Sequence, residues 1–209
     1  MRFSCEKVLL QSAINTASRA VSSKSSIPAL EGILLECGDN LRLTGYNLET
    51  GIRTSLDADI TKAGSLVLSS KLFGDIIRKL PDDVVVFSAE NYMVNIKCGM
   101  SEFNILATDP SEFPSLPEVE ENANRFDIKR SDLGCMIRQT IFAVSTNESR
   151  PIHTGSLFEV ENNNLNMVSV DGYRLALRKE PVTEKKGDIF SFVVPGAALN
   201  EVEKICGDK

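Results

Sequence analysis

The feature that most restricts what this chain can fold into is an internal repeat. Setting Phe3 against Phe126 fixes an offset of 123. At that offset Leu10 meets Leu133, Ile14 meets Ile137, and Ala20-Val21-Ser22 meets Ala143-Val144-Ser145. Ser26, Pro28, Gly32, Leu34 and Glu36 then meet Ser149, Pro151, Gly155, Leu157 and Glu159, which makes eleven identities between 3–36 and 126–159 without a gap. An extra residue in the run Asn162-Asn163-Asn164 moves the offset to 124, where Leu41 meets Leu165 and Asn47 meets Asp171. Leu66-Val67-Leu68 meets Phe192-Val193-Val194 at 126. Recurrence in the same order means that one supersecondary plan is used twice. The first copy runs on past Asp82 to about Pro117, while the second stops at Lys209, just past the equivalent point. The expectation is a complete first domain, 1–120, and a truncated second, 125–209, short of about 35 residues.

Each copy reads as two helices and many short strands. Phe3-Ser4-Cys5 is a strand. Residues 7–20 follow as a helix with Val8, Leu10 or Gln11, Ile14, Ala17 and Val21 at helical spacing. Residues 33–37 and 41–45 flank Gly38-Asp39-Asn40 as a hairpin, and residues 50–60 alternate like a further strand. Leu66-Val67-Leu68 is a buried strand, and Ser69 or Ser70 caps a helix over 71–80 that Pro81 follows. Strands over 84–88, 93–98 and 102–107 complete the first copy. The second repeats the plan with helices over 131–144 and 196–205. The segment 109–124, with Pro110, Pro114 and Pro117, is the linker. Antiparallel strands with helices packed on them make an α+β fold.

Composition excludes several classes. No apolar run reaches the ~18 residues of a membrane span, and the N-terminus has no signal-like apolar core. Five cysteines are scattered singly with no CxxC pair, which fits free thiols in a reducing cytosol rather than disulfides or zinc. One histidine, His153, leaves little room for metal or triad chemistry, and no GxxxxGK phosphate loop occurs. Neither a cofactor nor a catalytic constellation is expected. The net charge of -6 does not point to nucleic acid. The charge is uneven, however. Arg2, Lys7, Arg19 and Lys24 face only Glu6 up to residue 24, and Lys71, Arg78 and Lys79 face only Asp75. Acid gathers in 31–59 and 109–121 instead. Such helices form a locally positive face on an acidic body, although a plain solvated helix face accounts for the same pattern.

Three stretches of the first copy carry a resemblance: Ile27-Pro28-Ala29-Leu30, Leu43-Thr44-Gly45-Tyr46-Asn47-Leu48-Glu49 and Phe113-Pro114-Ser115-Leu116-Pro117. In the second copy it rests on Arg150-Pro151-Ile152-His153-Thr154-Gly155 and Val170-Asp171-Gly172-Tyr173-Arg174-Leu175-Ala176. Taken together they resemble the bacterial sliding clamp, the beta subunit of DNA polymerase III. That resemblance implies a non-catalytic, cytoplasmic ring. Two subunits of three domain copies each close head to tail around double-stranded DNA, with helices lining the hole. The copies seen here are the N-terminal portion.

The resemblance also assigns residues. Lys24, Arg19, Lys71, Arg78 and Arg138 become sequence-independent phosphate contacts, with Asn147 as the repeat partner of Lys24. His153, Val170, Gly172, Tyr173, Arg174 and Leu175 become one side of a shallow apolar groove. Short apolar motifs of the polymerase alpha subunit and the clamp loader would bind there. His153 and Val170 depart from the aliphatic residue and the threonine usual at their positions. Phe73, Ile76, Phe103 and Ile105 become the homodimer interface. The competing reading is a two-domain protein-binding adaptor that never encircles DNA.

Overall fold

The computed structural model describes residues 1–22, 24–183, 185–186 and 189–207. Residues 208 and 209, the end of the expected second domain, lie outside the described residues. The chain divides into two compact units, Met1–Pro117 and Glu118–Lys209.

Unit 1 contains β1 (Arg2–Glu6), α1 (Lys7–Ser18), β2 (Gly32–Cys37), β3 (Leu41–Tyr46), β4 (Gly51–Leu56), β5 (Asp59–Lys62), β6 (Gly64–Ser69), α2 (Ser70–Lys79), β7 (Val84–Glu90), β8 (Met93–Cys98) and β9 (Ser101–Leu106). Its strands form two antiparallel sheets, ordered β5-β1-β7-β8-β9 and β4-β3-β2-β6. One apolar cluster joins both sheets to both helices: Leu10, Ile14 and Ala17 of α1, Phe73 and Ile77 of α2, and Phe3, Phe87, Ile33, Leu35, Leu41 and Leu43 of the strands. Phe87 stacks on Phe3 at 4.6 Å between ring centroids and meets Phe73 edge-on at 6.3 Å.

The helices follow from local sequence. In α2, Phe73, Ile76 and Ile77 fall on one stripe, and the Leu72 N–H donates to the Ser69 Oγ cap. Arg78 and Lys79 sit in its last turn, where the helix dipole favours cations. The stripe of α1 is narrower than expected. It is Leu10, Ala13, Ile14 and Ala17, and Val8 points to solvent. Regular α1 also stops at Ser18, not residue 20. Arg19, Ala20 and Val21 donate three residues back, to Thr16, Ala17 and Ser18, so the end tightens into a 3-10 turn.

Unit 2 contains β10 (Arg125–Phe126), α3 (Arg130–Thr140), β11 (Gly155–Glu161), β12 (Asn164–Val170), β13 (Leu175–Pro181), β14 (Lys185–Lys186), β15 (Phe190–Pro195) and α4 (Gly196–Gly207). The sheet β13-β12-β11-β15 repeats the order β4-β3-β2-β6, and β10 pairs with β14 as β1 does with β5. Helix α3 is shorter than the expected 131–144. It ends at Thr140, and a 3-10 turn covers Ile141–Ala143. The extra asparagine has a definite place. Asn162 and Asn163 both have positive φ (49° and 60°) and turn the hairpin directly after the pair Glu161–Asn164. The α+β fold class is as the sequence implied.

Candidate functional site

Unit 2 holds a cavity of about 650 Å³ between the loop after α3 and the turn joining β12 to β13. The turn is built by Asp171. Its Oδ1 accepts from the N–H groups of Tyr173 (3.0 Å) and Arg174 (3.1 Å), and its own N–H donates to the Arg174 carbonyl (3.3 Å). Gly172 takes φ +92°, a region costly for side chains, and so lets the turn close. Oδ2 of Asp171 accepts from Arg174 Nε at 2.8 Å, and the Arg174 guanidinium lies 5.6 Å from the centroid of the Phe142 ring. The two N–H donors, Tyr173 first, and the Arg174 partner hold the Asp171 carboxyl below its usual range. Asn47 repeats this turn in unit 1: its Oδ1 accepts from Glu49 (3.0 Å) and Thr50 (2.7 Å), and Leu48 at φ +74° stands where Gly172 stands.

The opposite wall is the loop Ser145 to Arg150 and the 3-10 turn Pro151–Thr154. The Ser145 N–H donates to the His153 carbonyl (2.9 Å), which ties the loop to that turn. His153, Gly172, Tyr173 and Arg174 therefore do line one cavity. Val170 and Leu175 do not; they are cross-strand partners at the ends of β12 and β13, and Leu175 faces solvent. The lining corrects the expected apolar character. Ser145, Thr146, Asn147, Ser149 and Arg150 join it, and they supply hydroxyl, amide and guanidinium groups. Among the described residues, no ion pair engages Arg150. Asn147, expected as a phosphate neighbour through its match to Lys24, lies in this wall, and its Oδ1 accepts from the Ser149 N–H. That this loop walls the cavity escaped the sequence reading, because polar loop residues look alike until the fold sets them across from Asp171.

The cationic candidates divide. Lys24 and Lys71 are exposed and carry no ion pair among the described residues. Arg78 is held by Asp75 at 2.6 Å and Arg138 by Glu203 at 2.7 Å. Arg19 caps the end of α1 and is half-buried. Lys7, counted toward the basic face, pairs with Asp82 at 2.7 Å. The Arg78–Asp75 and Arg138–Glu203 pairs, whose guanidinium groups are exposed, contribute little stability but cancel charge.

The interface candidates also divide. Phe73 and Ile76 are corrected: both are buried in the core of unit 1, because they form the stripe that packs α2 onto the sheets. Phe103 and Ile105 lie on β9, the last strand of its sheet, opposite the buried Ile96 and Val94. Phe103 is partly exposed, while Ile105 packs against the core. The outer side of β9 has no neighbouring strand among the described residues.

Known proteins resemble this chain throughout. The family model for the DNA polymerase III beta subunit, N-terminal domain, matches residues 1–117, and that for the central domain matches 127–209. A beta sliding clamp of Halalkalibacterium halodurans is 37% identical over 98% of this chain, and one of Bacillus subtilis is 35% identical over all of it. The chain spans 57% of the length of each. The crystal structure of the Bacillus subtilis DNA polymerase sliding clamp superposes with a TM-score of 0.92 at 35% identity, covering 98% of this chain and 56% of that one. The beta subunit from DNA polymerase of Streptococcus pyogenes gives 0.90 at 30% identity, with the same coverages.

Proposed function

The chain belongs to the DNA polymerase III beta subunit family, and on that premise we propose that it is part of a sliding clamp. In this reading it encircles duplex DNA, tethers the replicative polymerase and catalyses nothing itself. One observation carries the reading: a single α+β unit used twice, its helices bearing exposed cations, over a span that both family models match. Residues 1–120 and 125–209 are its first two clamp domains. Topological linkage needs no tight contact, so a few unpaired lysines suffice to hold phosphate loosely while the ring slides.

Lys24 and Lys71 are the principal phosphate contacts. Arg19, Arg78 and Arg138 contribute less, since acids or the fold already hold them. The cavity around His153, Gly172, Tyr173 and Arg174 takes short motifs of the polymerase and clamp-loader subunits. Phe103 and Ile105 at the β9 edge meet the neighbouring subunit of a cytoplasmic homodimer.

The decisive experiment uses the ring-forming protein on nicked circular DNA. It is retained on circles and released when they are linearised. Equal retention on circular and linear DNA sinks the reading and favours the adaptor. Lys24→Ala with Lys71→Ala lowers retention severalfold near 50 mM salt, and the difference shrinks as salt rises. In a titration with a fluorescent apolar pentapeptide, Arg174→Ala weakens binding about threefold to tenfold by removing the guanidinium from Phe142. His153→Leu strengthens it.

A further inference from the structure

Sheet β5-β1-β7-β8-β9 of unit 1 turns one face to the core, so its strands should alternate apolar and polar residues. β1 does: Phe3 and Cys5 are buried, and Ser4 and Glu6 lie on the other face. β7 does not. It opens with Val84-Val85-Val86, of which Val85 is buried while Val84 and Val86 are 48% and 37% exposed. A strand apolar on both faces is the pattern of one covered on both. Register sets Val84 beside Glu6, and Val86 beside Ser4, whose other neighbour is Asp59. Helix α1 starts directly after Glu6, and its first turn adds Val8 and Leu9, 58% and 45% exposed.

These side chains meet in one place. Leu9, Ala58 and Val84 share a cleft of about 390 Å³ with Glu6, Asp57 and Asp59. Among the described residues no ion pair engages any of the three carboxylates. Cations of the neighbouring elements are held elsewhere. The Lys7 side chain, 11% exposed, binds Asp82 at 2.7 Å. Lys97, in the row of Ser4 and Val86, binds Glu102 at 3.1 Å. Arg2 and Lys62 pair at the far ends of β1 and β5. Exposed apolar side chains rimmed by uncompensated acid complement an apolar group flanked by cations.

We propose that this corner of unit 1 is a docking surface for a short basic segment of a partner protein. The segment carries two adjacent aliphatic side chains flanked by lysine or arginine. The aliphatic pair lies against Leu9 and Val84, and the flanking cations reach Glu6 on one side and Asp57 or Asp59 on the other. Burial of the aliphatic pair supplies the attraction, and the carboxylates select the sign of the flanks. Nucleic acid does not fit here, because three carboxylates repel phosphate. The surface shares no residue with the phosphate contacts or the His153 cavity, so it stands whether or not the clamp reading holds.

The test titrates a dye-labelled, end-capped peptide Lys-Leu-Leu-Lys into the whole 209-residue chain at low salt. Saturable binding is expected, with a Kd of about 0.1–1 mM for a small open surface, and with amide NMR shifts centred on Ala58 and Val84. The double variant Val84→Ser with Val86→Ser replaces exposed side chains only, and a circular dichroism spectrum checks that it folds. It weakens binding at least about fivefold. Asp57→Asn with Asp59→Asn weakens it likewise and flattens its dependence on salt. Absence of saturable binding at millimolar peptide overturns the proposal. So does equal binding of a peptide with serine in place of both leucines, which would leave charge alone, or of one with glutamate in place of both lysines. A chain dimer that the valine variant abolishes and the peptide does not displace overturns it as well, since the occupant is then a second copy.

Discussion

The two units follow one course from first helix to second, yet they differ where helix meets sheet. In unit 1, Gly45 of β3 lies against the end of α1 so closely that a Cβ would stand 2.0 Å from the Ala17 carbonyl oxygen. In unit 2 the equivalent residue is Ser169. There α3 ends at Thr140, whose hydroxyl donates back to the Met136 carbonyl (2.8 Å), and Ser169 Oγ meets Ser156 Oγ at 2.7 Å in full burial. Unit 1 thus closes by backbone contact over an apolar core, and unit 2 by a satisfied pair of hydroxyls. The same backbone plan accommodates both, a bare glycine against a helix end and a paired hydroxyl in its place.

The comparison can be broken in order of effect. Phe87→Ala removes the ring that both Phe3 and Phe73 pack on. It should cost about 3–5 kcal/mol. Urea unfolding followed by amide exchange should show the loss in unit 1, with protection of Val160 and Met167 retained. Equal loss of protection in both would mean that the units do not unfold separately. Gly45→Ser imports the unit 2 residue into unit 1. The backbone clash should cost about 2–3 kcal/mol, and a shift in the urea midpoint measures it. A neutral result would show that α1 can stand off as α3 does. Ser169→Ala leaves Ser156 without its partner and should cost about 1–2 kcal/mol in unit 2 alone.

The smallest effect concerns thiols. Burial pushes Cys5 from the ordinary 9.0 up to about 12 and Cys37 to about 11. A thiol raised in the folded state stabilises fully below its unfolded value and loses that contribution as pH rises through the folded one. Unit 1 should therefore weaken between pH 9 and about 12, and urea midpoints across that range check the sign. With a thiol reagent at neutral pH, the half-buried Cys135 and Cys206 should react well before the buried Cys5, Cys37 and Cys98.

Much of this was legible in the residues. Identities at fixed offsets imposed two copies of one plan, and apolar spacing at 73, 76 and 77 with Ser69 before it imposed α2, since periodicity and capping act within a few residues. The turn of Asp171 with Gly172 was likewise local chemistry. Which apolar side chains face inward was not local. Phe73 and Ile76 read equally well as interface or core, and only the packing of α2 onto the strands buried them. Charge was decided at a distance too. Lys7 and Arg138 lose their freedom to Asp82 and Glu203, which lie 75 and 65 residues away. The polar wall opposite Asp171 exists only once a loop from one helix and a turn from another strand are brought face to face. Sequence determines what is set by neighbours along the chain; tertiary structure decides burial and pairing, because those depend on groups that the fold alone makes adjacent.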